Sequence, residues 1–162
     1  MAVAYLSLGS NLGDRDGHLR EALSRLDGAG VGVRRVSAIY ETAPQERTDQ
    51  PWFLNLAAEV ETLLEPRALL ERCLGVERAL GRVRAEPRGP RTIDIDLLLY
   101  DRLVLDEPGL TIPHPRMHRR RFVLEPLAEL VSGLRHPVLG RTIGELLEDV
   151  LDQEMRPYRP GG

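Results

Sequence analysis

The sequence predicts an α+β fold, in which an antiparallel sheet has helices on one face and C-terminal helices are added. The first observation is the order of the hydrophobic patterns: strand, helix, strand, strand, helix, strand, or two β-α-β units joined by a hairpin. The second is that the strand patterns alternate, which leaves one sheet face free to carry a site. The arrangement is ferredoxin-like, and a chain of 162 residues suits a single domain, 1–162.

The N-terminal half supplies the first β-α-β unit and the central hairpin. Residues 2–8 predict a strand, and a tight turn leads to a helix that Asp14 or Asp16 caps. The next elements are an alternating strand at 31–40 with one slip, a surface loop at 43–51, and an alternating strand at 52–63. On this last strand Phe53 and Asn55 begin the polar face, beside the loop.

The second half completes the sheet and adds helices. Pro66 opens a helix that ends at Gly81, and residues 93–100 predict the fourth strand. The remaining elements are a short strand at 103–105, a helix at 122–130, a last helix at 143–151 and a Pro/Gly-rich tail at 156–162 that we expect to be frayed.

Composition narrows the class of function. The net charge of −3 argues against bulk nucleic-acid binding. All basic residues are Arg, so a Walker-type P-loop, which needs Lys, is excluded. Cys73 is the only cysteine, so a disulfide or cysteine zinc site within the chain is excluded. No segment is typical of a secretory signal or a membrane span, and we expect a cytoplasmic protein.

The residues most suggestive of chemistry lie within 81–100. Arg82, Arg84 and Arg91 belong to a loop broken by Pro and Gly, and Asp94 and Asp96 share one face of the strand that follows. Two such carboxylates lie about 7 Å apart at their Cβ atoms and repel unless a cation joins them. Magnesium suits the pair because it takes few protein ligands and binds phosphate oxygens. The arginines offer forks to the same phosphates.

A structural interpretation stands beside this functional one. Asp94 and Asp96 could instead form ion pairs with Arg82 and Arg91 on a solvated strand face. The aromatic ring of Phe53 and the amide of Asn55 could likewise be ordinary surface groups. The clustering of arginines and the placement of two acids in mid-strand, where Asp is disfavoured, favour function.

Taken together, the motifs resemble those of the 6-hydroxymethyl-7,8-dihydropterin pyrophosphokinase family of folate biosynthesis. The resemblance covers nearly the whole chain, and its most specific part is residues 88–98, Arg-Gly-Pro-Arg-Thr-Ile-Asp-Ile-Asp-Leu-Leu. The other shared motifs are Gly9-Ser10-Asn11, Asp49-Gln50-Pro51, Phe53-Leu54-Asn55, Gly81-Arg82-Val83-Arg84 and Ile112-Pro113-His114, with Arg120 and Phe122 beyond them.

The resemblance implies a usually monomeric, soluble enzyme that moves the β,γ-pyrophosphoryl group of ATP to the hydroxymethyl oxygen of a dihydropterin and releases AMP. Asp94 and Asp96 would hold two magnesium ions, and Arg82 and Arg91 would grip the transferring group. The implied ATP-binding residues are Glu77, Arg82, Arg84, Arg91, His114 and Arg120, with position 97 left unassigned. The implied pterin-binding residues are Thr42, Phe53, Asn55 and Phe122, the two rings stacking on the pterin.

The chain departs from the commonest family pattern at a few positions. Leu74 stands where a Gln is frequent near the nucleotide, and Arg88 where an aromatic residue is frequent near the pterin. Pro115 follows His114 where some members have Tyr, and Phe53 replaces a frequent Tyr. None of these changes touches the carboxylate pair.

Two other classes of function remain open from the residues alone. A nucleotidyl cyclase or polymerase palm also places two strand carboxylates on a ferredoxin-like sheet, but it releases pyrophosphate rather than AMP. An RNA-recognition module shares the topology but needs a Lys/Arg-Gly-Phe/Tyr core motif, which this chain lacks. Asp94 and Asp96 would also face, and repel, the RNA.

Overall fold

The computed structural model describes residues 1–44, 49–81 and 92–159. In that part of the chain the strands are β1 Ala2–Ser10, β2 Val31–Val36, β3 Tyr40–Thr42, β4 Phe53–Thr62, β5 Asp94–Tyr100, β6 Leu105–Glu107, β7 Leu110–Ile112 and β8 Met155–Pro157. The helices are α1 Arg15–Leu26, α2 Pro66–Ala79, α3 Arg121–Val131 and α4 Ile143–Glu148, with a 3-10 turn at Met117–Arg119.

An antiparallel sheet forms the centre of the molecule, with strand order β5-β1-β4-β3-β8 and with β2 also paired to β4. β1 pairs with β4 along its whole length, from Ala2 opposite Thr62 to Ser10 opposite Leu54. Its other edge pairs with β5, with one register shift between Tyr5 and Leu6. The predicted ferredoxin-like, α+β class is therefore confirmed, and β5 forms one edge of the main sheet.

Helices α1 and α2 cover one face of the sheet, as the sequence predicts. Asp14, rather than Asp16, is the N-cap of α1, and its carboxylate accepts a hydrogen bond from the backbone N–H of Gly17 at 3.1 Å. The core on this side contains the predicted apolar residues of β4, which are Leu54, Leu56, Ala58 and Val60. Within the described residues, no helix has the length and apolar character needed to cross a membrane.

Helices α3 and α4 cover part of the opposite face. A second apolar cluster joins them to the sheet through Tyr5, Ala57, Leu98 and Leu99. The register shift between β1 and β5 explains how Leu98 and Leu99 both reach this cluster, because a bulge offsets the usual alternation of side chains. The face that we expect to be free is therefore free only at the end where β5 begins.

The strand expected at 31–40 is two strands, which corrects the prediction of a single one. β2 ends at Val36 and β3 begins at Tyr40, and both pair with β4. Between them Ser37 donates its backbone N–H to the carbonyl oxygen of Ala57 at 2.9 Å, while its hydroxyl accepts from the N–H of Ala57 at 2.9 Å. Ser37 thus provides hydrogen-bond partners for the backbone of Ala57 in β4, where strand pairing is interrupted.

Three predictions for the C-terminal half are also corrected. In place of a strand at 103–105, β6 and β7 form a hairpin through a turn at Gly109, whose φ of +76° suits glycine. Helix α4 ends at Glu148 rather than at residue 151. The tail expected to be frayed from residue 156 instead contributes β8, which pairs with β3; residues 160–162 lie outside the described part.

Candidate active site

A row of four residues crosses the open end of the sheet. Asp94 lies opposite Gly9, Gly9 opposite Asn55, and Asn55 opposite Tyr40. Residues directly opposite each other in an antiparallel pair point to the same face. With strands about 4.8 Å apart, Asp94 and Asn55 are about 10 Å apart at their Cα atoms. The row therefore joins the carboxylate strand to the strand that carries the predicted pterin contacts.

Gly9 is required by this row. A Cβ atom at Gly9 would lie 2.6 Å from Oδ1 of Asn55 and 3.5 Å from the ring of Phe53. The first distance is far below van der Waals contact, so any larger residue would displace the Asn55 amide. The Gly9-Ser10-Asn11 motif thus has a packing role, in addition to ending the first strand.

The carboxylates of Asp94 and Asp96 occupy successive positions on the open face of β5. Asp94 and Asp96 are both partly exposed, whereas Ile95 between them is buried on the helix side. This alternation confirms the predicted placement of the acids. In the described residues, no cluster of three or more His, Cys, Asp or Glu side chains could hold a metal. Two carboxylates on one accessible strand face fit magnesium, which fills its remaining positions with water and substrate oxygens.

Thr42, Asn55 and Phe53 form the second part of the site. Nδ2 of Asn55 donates to Oγ1 of Thr42 at 2.6 Å, and both residues are buried. Thr42 lies directly opposite Phe53, whose ring is partly exposed at the start of β4. The bond fixes the orientation of the Asn55 amide, as recognition of a hydrogen-bonding ring edge requires.

The segment that precedes Phe53 is held by residues of the first turn and of α1. Nδ2 of Asn11 donates to Oε1 of Gln50 at 2.9 Å and to the carbonyl oxygen of Pro51 at 3.1 Å. Nη1 of Arg15 donates to the carbonyl oxygen of Trp52 at 2.8 Å. The Gly9-Ser10-Asn11 motif and the Asp49-Gln50-Pro51 motif therefore contact each other. Sequence reasoning gave neither Asn11 nor Arg15 a role.

Glu77 lies on the helix side of β5. It is buried, and its Oε2 accepts a hydrogen bond from the backbone N–H of Ile95 at 2.8 Å. The carboxylate thus satisfies a backbone donor on the free edge of β5. Because Ile95 lies between the two aspartates in sequence, this hydrogen bond makes Glu77 a support for the strand that carries them. The predicted contact with the nucleotide remains a prediction.

A cavity of about 290 Å³ lies along the free edge of β5. The residues that line it come from α2, β5, the β6–β7 hairpin and the following turn: Leu70, Ile95, Asp96, Leu97, Gly109, Leu110, Thr111, His114 and Pro115. Because Ile95 donates its N–H away from β1, alternation puts the N–H and carbonyl of Leu97 on the same free side. Position 97, left unassigned from the sequence, therefore offers backbone groups to the cavity.

Most of this cavity was missed by sequence reasoning. Leu70 reads as a core residue of an amphipathic helix, and Leu110 and Thr111 belong to a hairpin that the pattern does not predict. The sequence did contain one signal for the hairpin, which is the Pro108-Gly109 turn between short apolar runs. Pro115, one of the departures from the family pattern, lines the cavity, while Leu74 is not among its lining residues.

His114 joins the cavity to the carboxylates. Its backbone N–H donates to the carbonyl oxygen of Leu98 at 2.9 Å, which fixes it beside β5. Burial, assisted by the positive charges of Arg120 and Arg116, lowers the pKa of His114 to about 4, and Asp94 opposes the shift. The ring is thus neutral at pH 7. Its Nδ1 accepts from the N–H of Arg116 at 3.2 Å, so the proton lies on Nε2.

Arg120 and Phe122 complete the described part of the site. The guanidinium of Arg120 lies 5.4 Å from the centre of the Phe122 ring, within the range of a cation–π contact. Phe122 also packs against the second apolar cluster from the start of α3. The structure therefore places Asp94 and Arg120 near His114, and Arg120 against Phe122. It also brings Thr42, Asn55 and Phe53 together at the start of β4. Arg82, Arg84, Arg88 and Arg91 lie outside the described residues.

The fold and this site define the class of protein as a ferredoxin-like domain with two carboxylates on an open strand face beside a cavity. A family model for 7,8-dihydro-6-hydroxymethylpterin-pyrophosphokinase (HPPK) matches residues 5–132. The chain belongs to this family.

Similar proteins agree with the assignment. The 2-amino-4-hydroxy-6-hydroxymethyldihydropteridine pyrophosphokinase of Bacillus subtilis is 50% identical over 129 residues, covering 79% of this chain and 77% of its own length. That of Methylorubrum extorquens is 47% identical over 149 residues, covering 91% and 92%. The folic acid synthesis protein fol1 of Pneumocystis carinii is 40% identical over 98% of this chain, which spans 21% of that protein.

Solved structures agree with the fold. The chain superposes on a Plasmodium falciparum HPPK-DHPS protein with a TM-score of 0.73 at 17% identity, over 91% of this chain and 43% of the other. The chain thus corresponds to one part of the Plasmodium and fungal proteins and to most of the bacterial ones.

Proposed function

We propose that the chain, 1–162, acts as a single pyrophosphokinase domain whose two half-sites hold ATP and 6-hydroxymethyl-7,8-dihydropterin. Family membership assigns the reaction, pyrophosphoryl transfer to hydroxymethyldihydropterin in folate synthesis. The observation that carries the assignment of half-sites is the row from Asp94 through Gly9 to Asn55. In this row Asp94 and Asn55 lie on one face, about two strand spacings apart, which supports a polyphosphate site beside a pterin site.

ATP fits the β5 side. Apolar walls from Leu70, Leu97 and Leu110 suit the faces of a purine, and the free backbone edge of Leu97 suits its hydrogen-bonding edge. With a base placed there, the phosphates would lie near His114 and Asp96, which line the same cavity. Nε2–H of neutral His114 donates to a phosphate oxygen. The resemblance adds Arg82, Arg84, Arg91 and Arg120 as phosphate contacts.

Asp94 and Asp96 would hold two magnesium ions at the triphosphate. Metal bound there would neutralise phosphate charge and acidify the attacking hydroxyl. The carboxylates themselves fix where the triphosphate lies relative to the pterin, since β5 is held rigidly by β1 and by Glu77. Positioning of this kind supplies much of the catalysis in phosphoryl transfer.

The dihydropterin fits the β4 side. Phe53 and Phe122 stack on its ring, and the Asn55 amide, oriented by Thr42, binds its polar edge. The hydroxymethyl oxygen then attacks the β-phosphorus of ATP. The bond from that phosphorus to the α,β-bridging oxygen breaks, AMP leaves, and the hydroxyl proton passes to solvent. We further propose a cytoplasmic monomer, in keeping with the small-molecule substrates.

The reaction is tested by product analysis. Purified protein with magnesium, ATP and hydroxymethyl-dihydropterin should release AMP in amounts equal to the pterin diphosphate formed. Reactions without magnesium or without the pterin are the controls. Release of pyrophosphate instead of AMP would assign a nucleotidyl transferase and reject the proposal.

A further inference from the structure

The C-terminal strand is joined to the pterin half-site by an ion-pair network on the other face of the sheet. Glu41 lies between Tyr40 and Thr42 in β3, so its side chain points away from the pterin side. Its Oε2 accepts from Nη1 of Arg15 at 3.0 Å and its Oε1 accepts from Nε of Arg156 at 2.8 Å. One carboxylate thus connects α1, β3 and β8.

The same two arginines also reach the residue that precedes Phe53. Arg15 donates to the carbonyl oxygen of Trp52, and the guanidinium of Arg156 lies 4.4 Å from the centre of the Trp52 indole. The second distance is well within cation–π range. The network therefore holds both partners of the Thr42–Phe53 pair through their neighbours in sequence.

The network is shielded from solvent at its centre. Only 17% of the Glu41 side chain and 25% of the Arg15 side chain are exposed. Burial opposes ionisation of Glu41, but hydrogen bonds from Arg156 and Arg15 outweigh it and lower the pKa of the carboxyl. Backbone bonds from Ala43 to Glu154 and from Tyr158 to Ile39 extend the attachment on both sides.

Resting on the proposed function, we propose that Glu41, with Arg15 and Arg156, is a positioning residue for dihydropterin binding. It touches neither substrate. It fixes the separation of β3 and the start of β4, on which the Thr42–Asn55 hydrogen bond and the Phe53 ring depend. Loss of the carboxylate leaves two guanidinium groups facing each other, so the strand ends separate and the pterin half-site loosens. The ATP half-site, on β5 at the opposite edge, keeps its geometry.

The test measures the two substrates separately. Glu41→Gln keeps the side-chain size and removes the charge, and Arg156→Gln removes one partner. Calorimetry with magnesium and a non-hydrolysable ATP analogue at saturation should show dihydropterin binding weakened roughly tenfold in Glu41→Gln. The Kd of the analogue alone should change by less than about twofold, because coupling does not reach β5 directly.

Three further variants sharpen the result. The double variant Glu41→Gln/Arg156→Gln should lose less dihydropterin affinity than the two single losses added together, because the two residues share the Glu41–Arg156 contact. Arg156→Lys, which retains a cation for Glu41 and Trp52, should recover much of the affinity. Arg141→Gln breaks an exposed pair with Asp149 of 2.6 Å elsewhere on the molecule and should leave both affinities unchanged.

Each outcome decides between the proposals. Unchanged dihydropterin affinity in Glu41→Gln would overturn the positioning role while leaving the proposed function intact. Equal weakening of both ligands together with a lower melting temperature would show a role in stability only, and would also overturn it. A wild-type protein that binds no dihydropterin and releases no AMP would overturn the proposed function as well.

Discussion

The open face of the sheet carries acidic residues at both of its ends, and these residues differ in burial and in hydrogen-bond partners. At the end near α3, Glu59 of β4 is 4% exposed. Arg35 donates to its Oε1 at 2.7 Å, and the hydroxyl of Tyr5 donates to the same oxygen at 2.8 Å. At the other end, Asp94 and Asp96 are partly exposed and lie side by side on the edge strand β5.

The hydrogen bonds around Glu59 shift the pKa values of this residue and of Tyr5. Hydrogen bonding from Arg35 lowers the pKa of Glu59, burial opposes this, and the Tyr5 bond adds to it. Burial and the adjacent Glu59 raise the pKa of Tyr5 to about 12. The carboxylate of Glu59 and the guanidinium of Arg35 thus stabilise each other, and Tyr5 stays neutral. Glu59 is therefore bonded within the protein and covered.

The comparison shows what distinguishes a functional acid from a structural one in mid-strand. Both occur where β-propensity disfavours them. Glu59 is compensated by a long cation from the neighbouring strand and covered. Asp94 and Asp96 place two like charges together at the rim of a cavity, beside a neutral histidine. Two carboxylates on an accessible face, beside a cavity, can share a divalent cation with an anionic substrate.

The largest expected effect is on the rim carboxylates. Asp94→Asn and Asp96→Asn should each reduce kcat on the order of 10²-fold or more, because charge neutralisation and positioning dominate phosphoryl transfer. The fold should survive, because β5 stays paired with β1 and its backbone stays bonded to Glu77. Steady-state AMP release at saturating magnesium, with thermal melts alongside, tests both statements. Near-full activity in both variants would remove the carboxylates from the mechanism.

Glu59→Gln should show the opposite pattern. Removing this charge leaves Arg35 without its partner and should lower the free energy of unfolding by roughly 1–3 kcal/mol, while kcat per folded molecule stays near wild type. Because the folded-state pKa of Glu59 lies below its ordinary 4.5, its contribution is complete above that pH and is lost as pH falls through the folded value. Urea unfolding at pH 7 and pH 3 measures it. A smaller difference between wild type and variant at pH 7 than at pH 3 would contradict this assignment.

The pterin half-site should give an intermediate effect. Phe53→Ala and Phe122→Ala should each weaken dihydropterin binding by about 1–3 kcal/mol, the range found for stacking of bases on aromatic side chains. Binding of the ATP analogue alone should change little in Phe53→Ala, because Phe53 lies on β4, away from the cavity at β5. A titration in which ATP binding falls and dihydropterin binding does not would exchange the two half-sites.

The part of this fold that the sequence could predict is the part governed by alternation and helical periodicity. The two faces of β4 and the placement of Asp94 and Asp96 follow from a period of two. The break at Ser37 does not, because the serine satisfies β4 with its hydroxyl and backbone, which mimics a continuing strand. Strand β8, three residues that include Pro157, has no pattern of its own and exists only through its pairing with β3.

The site divides in the same way. Phe53 and Asn55 could be assigned to the polar face from the strand pattern. Thr42, His114 and Phe122 were named only through resemblance to a family. The free backbone edge of Leu97 could not be predicted, since it depends on β5 being the sheet edge and on Glu77 satisfying Ile95. Ionisable and polar side chains can be identified in a sequence. Backbone groups that could bind a ligand can be identified only once the strand order is known.

The smallest expected effect concerns the protonation of His114. Its pKa of about 4 follows from burial and from Arg120 and Arg116, so the folded protein should keep the ring neutral from pH 8 down to about 5. The Cε1 proton resonance of His114, assigned by its absence in His114→Gln, should stay constant over this range. A model histidine peptide, which titrates near pH 6.5, supplies the reference. A midpoint near 6.5 for His114 would show that the ring is solvated in the free protein.

The activity of two variants tests the role of the neutral ring as an Nε2–H donor. His114→Gln, whose amide N–H reaches a similar position, should retain kcat within about threefold, whereas His114→Ala should lose about tenfold. Equal losses in both variants would assign His114 to packing beside β5 instead.

The pH dependence of folding stability gives a further measurement of the His114 pKa. Because the folded-state pKa lies below the unfolded one, neutral His114 costs nothing above pH 6.5, and stability declines as pH falls from there toward 4. That decline should be shallower in His114→Gln, which separates the rim histidine from Glu59, whose contribution is lost only at lower pH.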